Sequence, residues 1–132
     1  MLSDERLRSE LYDILEDILA IDRDEIMPSS QFFADLGGES IDLLELSFHC
    51  QKHFGINVAF EKMFTSTELE VTDRNELTQE TMATMKAKLP FLDIQSFGED
   101  PKLDHIQQLL TVEAIYQYLK LTLASVKPKA TH

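Results

Sequence analysis

The stretch Phe32–Phe54, FFADLGGESIDLLELSFHCQKHF, constrains the fold more than any other part of the chain. From Ser40 to Phe54 apolar residues recur at helical spacing. Glycines bracket the run, Gly37 and Gly38 before it and Gly55 after it. A glycine reaches positive φ without steric cost, so the pair lets the backbone turn sharply into the helix. Gly55 sits where a helix commonly ends in a left-handed residue. Ser40 is placed as the N-cap, its hydroxyl accepting a bond from a free amide of the first turn. The exposed hydroxyl there has the positive end of the helix dipole beside it, which favours a phosphate. The site suits a serine that carries a phosphate-linked group.

Projected on a wheel, the same helix shows two apolar strips. Leu43, Leu46, Ser47, Cys50 and Phe54 share one face, which is the expected core face. Ile41, Leu44 and Phe48 form a second, bordered by Glu45, Gln51 and Lys52. A surface helix of a globular protein ordinarily has one such stripe. The second therefore meets another part of the chain or another protein.

With 132 residues, 43% of them hydrophobic and 27% charged, the chain is expected to fold as one domain over residues 1–124, with 125–132 a frayed tail. Four glycines and four prolines leave few turns and favour an all-α fold over a strand-rich one. The single cysteine, Cys50, has no internal disulfide partner, which fits a reducing compartment, and the expected location is the cytoplasm. No apolar run approaches the ~20 residues of a membrane span, and MLSDERLRSE is too charged for a secretory signal. The net charge is −12, of which −9 lies at or before Phe60. That balance argues against nucleic acid, whose binding needs clustered Lys and Arg. It suits capture by basic patches on protein partners.

Elsewhere the pattern is helical. Ser3 caps a first helix running to about Ala20, with Leu7, Leu11, Ile14, Leu15 and Ile18 inward. A long connection follows, in which Ile26, Phe32 and Phe33 are expected to pin the chain to the core. Ile56–Val58 looks extended, and Thr65–Thr67 marks a turn. Thr78 caps a helix carrying Leu77, Met82, Met85 and Leu89 that stops at Pro90. Phe91, Leu92, Ile94 and Phe97 are irregular anchors. Pro101 stands at the first position of a further helix, and Thr111 caps the last, in which Val112, Ile115, Tyr116 and Leu119 face inward.

DLGGESIDLLEL resembles the phosphopantetheine attachment motif of the acyl carrier protein family, whose core is Asp-Leu-Gly-x-Asp-Ser-Leu. PSSQFFADLG resembles the family's approach to the motif, FGINV its exit from the second helix, and TVEAIYQYL its final helix. The resemblance covers about Ser3 to Phe60 and Leu110 to Leu123. It implies a four-helix bundle that carries acyl groups as thioesters on a 4′-phosphopantetheine arm and is not an enzyme. Ser40 is then the attachment site, esterified from coenzyme A by a phosphopantetheinyl transferase. The resemblance further implies that Glu39, Ile41, Asp42, Leu44, Glu45 and Phe48 meet acyl-transfer or fatty-acid-synthesis enzymes with basic patches. It also implies that Phe32, Leu46, Cys50, Phe54 and Val58 enclose the acyl chain, and that the protein is a monomer.

Three departures stand out. Glu39 replaces the aspartate that precedes the serine, and Gln51 and Lys52 stand at commonly acidic positions. About 61–108 forms an insert, expected to hold additional helices, where the family has a short helix. This implies a specialised carrier of fatty-acyl or hydroxyacyl chains, with lipid A acylation one destination on family analogy alone. An unmodified adaptor binding through Ile41, Leu44 and Phe48, or a peptidyl or aminoacyl carrier, are the alternatives. His49, Cys50 and His53 invite a metal or nucleophile reading, but two histidines a turn apart do not make a structural zinc site and Cys50 points to the core. No metal is expected.

Overall fold

Apolar residues three and four apart drive the long helices of this chain, and a computed structural model describes residues 3–64, 78–88 and 102–125. The elements are α1 (Asp4–Leu19), a 3-10 turn (Arg23–Glu25), α2 (Ser40–Phe54), α3 (Phe60–Phe64), α4 (Gln79–Lys88), α5 (Leu103–Gln108) and α6 (Val112–Ser125). The fold is all-α and resembles the four-helix bundle expected, with α4 and α5 added before the last helix. Gln31 and Thr111 form an isolated antiparallel bridge.

Local signals set the helix ends as the sequence implied. The Ser3 hydroxyl accepts the Arg6 amide at 3.2 Å, and α1 stops where Ala20 turns left-handed, φ 53°. Thr78 Oγ1 accepts the Thr81 amide at 3.2 Å, and Thr111 Oγ1 accepts that of Ala114 at 3.1 Å. One start differs. α5 begins at Leu103 behind Lys102, two residues beyond the position that Pro101 suggested. The expectations for Thr65–Thr67, Leu77, Leu89, Pro90, Phe91, Leu92, Ile94, Phe97 and the tail fall outside the described residues.

Leu7, Leu11, Ile14 and Leu15 of α1, Leu43, Leu46 and Cys50 of α2, and Val112, Ile115, Tyr116 and Leu119 of α6 are all buried in one core. Burial of each large side chain contributes about 1.5–3 kcal/mol. Ile26, Phe32, Ile56, Val58, Phe60 and Phe64 complete the core, and Met85 and Ile106 bring α4 and α5 into it. Ile56 and Val58 are buried in the non-helical link between α2 and α3.

α3 is only five residues long and is held from both ends by polar side chains. Ser47, buried on the core face of α2, accepts the Phe60 amide at 2.8 Å and donates to Glu61 Oε1 at 2.8 Å. Gln107 of α5 donates to the Phe64 carbonyl at 2.9 Å. Ser47→Ala leaves a buried amide without an acceptor, which costs about 1–3 kcal/mol. Thermal melting should register that loss, and hydrogen exchange should show the Phe60 amide losing more protection than the amides of α1.

The long link from α1 to α2 is fixed at both ends. Near α1, the Arg23 guanidinium donates to the Ser9 carbonyl at 2.9 Å and pairs with Asp13, while the Arg23 amide reaches Glu16 at 2.9 Å. Further on, the amides of Val112 and Glu113, orphaned at the start of α6, donate to the carbonyls of Ser30 and Pro28, each at 2.9 Å. The Phe32 amide donates to the Leu110 carbonyl at 2.9 Å. The loop that delivers the chain to Ser40 is thus stitched to the last helix.

Candidate functional site

The approach to Ser40 is a turn closed on itself. Asp35 accepts the Gln31 amide through Oδ2 at 2.7 Å, the Gln31 carbonyl accepts the amides of Asp35 and Leu36, and the Gly38 amide donates to the Phe32 carbonyl at 2.9 Å. The two glycines do different jobs. Only Gly37 has positive φ, 70°, and the space around its missing side chain is open. At Gly38 a Cβ would lie 2.3 Å from the Phe32 ring. The sharp turn expected of both glycines belongs to Gly37, and Gly38 is a matter of close approach.

Ser40 is not the cap of α2 but its first helical residue; the cap is Glu39, extended at φ −123°. The Asp42 carboxylate reaches back and accepts the Glu39 amide at 2.8 Å. The acid three residues on thus supplies the capping bond that the serine was expected to supply. Glu39 also receives the amides of Asp42 and Leu43 on its carbonyl. The Ser40 side chain is exposed, and its hydroxyl has no hydrogen-bond partner among the described residues. The amides of Ser40 and Ile41, at the positive end of the helix dipole, likewise have no acceptor among the described residues. A free hydroxyl beside two free donors fits a phosphodiester.

The two apolar strips of α2 separate in space. Leu43, Leu46, Ser47 and Cys50 are buried, with Phe54 half-buried against the core and edge-on to His53. Ile41, Leu44 and Phe48 are 65%, 53% and 56% exposed, and no described part of the chain covers them. With Glu45, His49 and Lys52 they line a shallow groove of about 510 Å³. Gln51, expected on the border of this strip, instead turns its amide to the Val58 carbonyl at 2.6 Å.

Phe32, Leu46, Cys50 and Val58 are fully or almost fully buried, so the residues assigned to a cargo shelter stand here as closed core. Burial pushes the Cys50 thiol up to about 12. It therefore stays protonated at neutral pH and lacks the thiolate that nucleophilic chemistry needs. In the native protein, Cys50 should react with a thiol reagent at pH 8 far more slowly than a free cysteine, and unfolding in guanidinium should restore the full rate.

His53 points across to α1, with Nε2 3.3 Å from Glu10 Oε1, and His49 Nε2 lies 3.7 Å from Glu45 Oε2. These two histidines, Glu10, Asp13, Ile14 and Asp17 line a cleft between α1 and α2. Among the described residues no three His, Cys, Asp or Glu side chains come together to hold a metal. No described helix is long and apolar enough to cross a membrane.

The family described as "Phosphopantetheine attachment site" matches residues 9–71. The chain is 30% identical over 60 residues to the acyl carrier protein of Chlorobium luteolum, a match spanning 46% of this chain and 77% of that protein. The acyl carrier protein of Chlorobium phaeobacteroides is 28% identical over the same shares. Acyl carrier protein AcpXL of Brucella melitensis is 41% identical over 58 residues, 41% of this chain and 62% of that relative. No solved structure matches the chain.

Proposed function

This chain belongs to the acyl carrier protein family, whose members carry rather than catalyse, and we propose that Ser40 holds its 4′-phosphopantetheine arm. The observation that carries the reading is the free, exposed Ser40 hydroxyl at the start of α2, beside the unpartnered amides of Ser40 and Ile41. When bound, the group supplies a thiol on which acyl cargo travels as a thioester. The residues around Ser40 present it. Gly37 turns the chain, Asp35 and Asp42 pin the backbone on either side, and the attachment point faces solvent where a transferase can reach it.

The exposed strip of Ile41, Leu44 and Phe48, flanked by Glu39, Asp42 and Glu45, is proposed as the face that partner enzymes with basic patches recognise. Phe32, Leu46, Cys50, Phe54 and Val58 are proposed as the shelter for cargo. These core side chains must part to admit a chain. Burying six methylenes at about 0.8 kcal/mol each gains about 5 kcal/mol. Helices α4 and α5, in an insert proposed to span 61–108, reach the core through Met85 and Ile106. Adaptable methionines suit a lining that opens. The insert supports a specialised fatty-acyl or hydroxyacyl pathway, lipid A acylation among its candidates, within a single domain of residues 1–124.

Incubation with coenzyme A, magnesium and a broad-specificity phosphopantetheinyl transferase should raise the mass by one phosphopantetheinyl group, located by fragmentation on the peptide containing Ser40. A wild-type mass that does not change, or a group found on another residue, overturns the reading. An adaptor without the arm predicts that unchanged mass.

A further inference from the structure

The charges on α2 do not run in one sign. Asp42 and Glu45 occupy its first half, behind Glu39 at the cap. In its second half Gln51, itself exposed, donates to the Val58 carbonyl. Lys52 makes no such bond. It is exposed, lines the same groove as Ile41, Leu44 and Phe48, and has no carboxylate within ion-pair distance among the described residues. The neighbouring imidazoles are already directed elsewhere, His49 to Glu45 and His53 to Glu10.

Helical rise places Lys52 ~15 Å from Asp42 and ~10 Å from Glu45 along the axis. That is at or beyond the screening length of about 8 Å at physiological salt. The two ends of the groove therefore act on an approaching partner as separate charges rather than cancelling. A uniformly basic surface would gain at the Ser40 end and be repelled at Lys52. An anionic bilayer would be repelled by the acids and by the net charge of −12. The complementary surface is a protein with basic residues opposite Asp42 and Glu45, an apolar contact for Leu44 and Phe48, and an acid opposite Lys52.

We propose that Lys52 is a specificity determinant of the α2 face, selecting an acyl-transfer partner whose docking site carries an Asp or Glu about 10–15 Å from its basic patch. The proposal rests on the reading of this face as the docking surface of a loaded carrier.

The test uses the full chain expressed in its own cells, as wild type, Lys52→Ala and Lys52→Glu, with intact mass spectrometry. The readout is the acylated share of those molecules that carry the arm, which divides out any effect on the transferase. Lys52→Glu should lower that share by about tenfold and Lys52→Ala by less, as like-charge juxtaposition at a docking site requires. A photo-crosslinking amino acid in place of Lys52 should join a partner peptide containing Asp or Glu. Reversing that acid to Lys should restore acylation of Lys52→Glu. An unchanged acylated share, a crosslink only to lipid or to a peptide without an acid, or failure of the reciprocal reversal overturns the proposal. A wild type that carries no arm is a different failure, since it defeats the reading of Ser40 beneath this one.

Discussion

Ser40→Ala is expected to abolish the phosphopantetheinyl mass gain completely while leaving the melting temperature within about 2 °C of wild type. The first half follows from chemistry, because alanine has no oxygen to esterify. The second follows from the structure. A serine that truly capped α2 would cost about 1 kcal/mol on truncation to alanine. Here the cap is Glu39, and the bond that secures it comes from the Asp42 carboxylate at 2.8 Å. Ser40 is exposed and its hydroxyl makes no bond among the described residues, so the substitution removes nothing that folding uses. Asp42→Ala is the counterpart: it should lower the melting temperature by several degrees by leaving the Glu39 amide without that partner. Mass spectrometry and thermal melting on the two variants separate tether from cap. Retained mass gain in Ser40→Ala would show the arm to be elsewhere.

This division of labour was half legible in the sequence. The start of α2 was plain from Gly37, Ser40 and the apolar period, because capping and periodicity are local. Which of two adjacent polar residues would cap was not, since Ser40, Glu39 and Asp42 all offer oxygens within reach of the same amides. The same contrast runs through the fold. Ser3, Thr78 and Thr111 act where the sequence put them, each bonding an amide three residues on. Ser47 looked like one more residue on a core face. Its partners, Phe60 and Glu61, lie 13 and 14 residues away, and no local rule connects them. The bonds from Val112 and Glu113 to Ser30 and Pro28 are further still from any local signal.

The two strips of α2 were legible because a wheel needs only the period. What the structure adds is which strip is free. Leu43, Leu46 and Cys50 are consumed by the core, and Ile41, Leu44 and Phe48 are left exposed. Gln51 and Lys52 looked alike as departures from an acidic pattern. Both are exposed, but the Gln51 amide donates to the Val58 carbonyl at 2.6 Å, a bond a carboxylate could not make, whereas Lys52 has no ion-pair partner among the described residues.

Gly38→Ala should destabilise the protein by about 1–3 kcal/mol, lowering the melting temperature by roughly 4–12 °C, and should slow loading of Ser40 as well. A Cβ at Gly38 would sit 2.3, 2.6 and 2.8 Å from three atoms of the Phe32 ring, closer than any real contact. The ring has little room to retreat. It is fully buried, stacks edge-on against Phe33 at 5.4 Å, and its backbone is tied to the Leu110 carbonyl and to the Gly38 amide itself. The alternative is for the backbone to move, and it carries Ser40 two residues on. Gly37→Ala is the telling control. Its φ of 70° disfavours any side chain, at about 1 kcal/mol, but nothing stands within 4 Å of the new methyl. If glycine were needed here only for backbone freedom, Gly37→Ala would be the worse of the two. Shrinking the ring decides the cause: Phe32→Leu should relieve part of the Gly38→Ala penalty, so the double variant falls short of additivity by about 1 kcal/mol. Strict additivity would mean that the ring is not what Gly38 makes room for. The same contact would couple the cargo shelter to the tether, because a chain that displaces Phe32 from the core presses on the loop that holds Ser40.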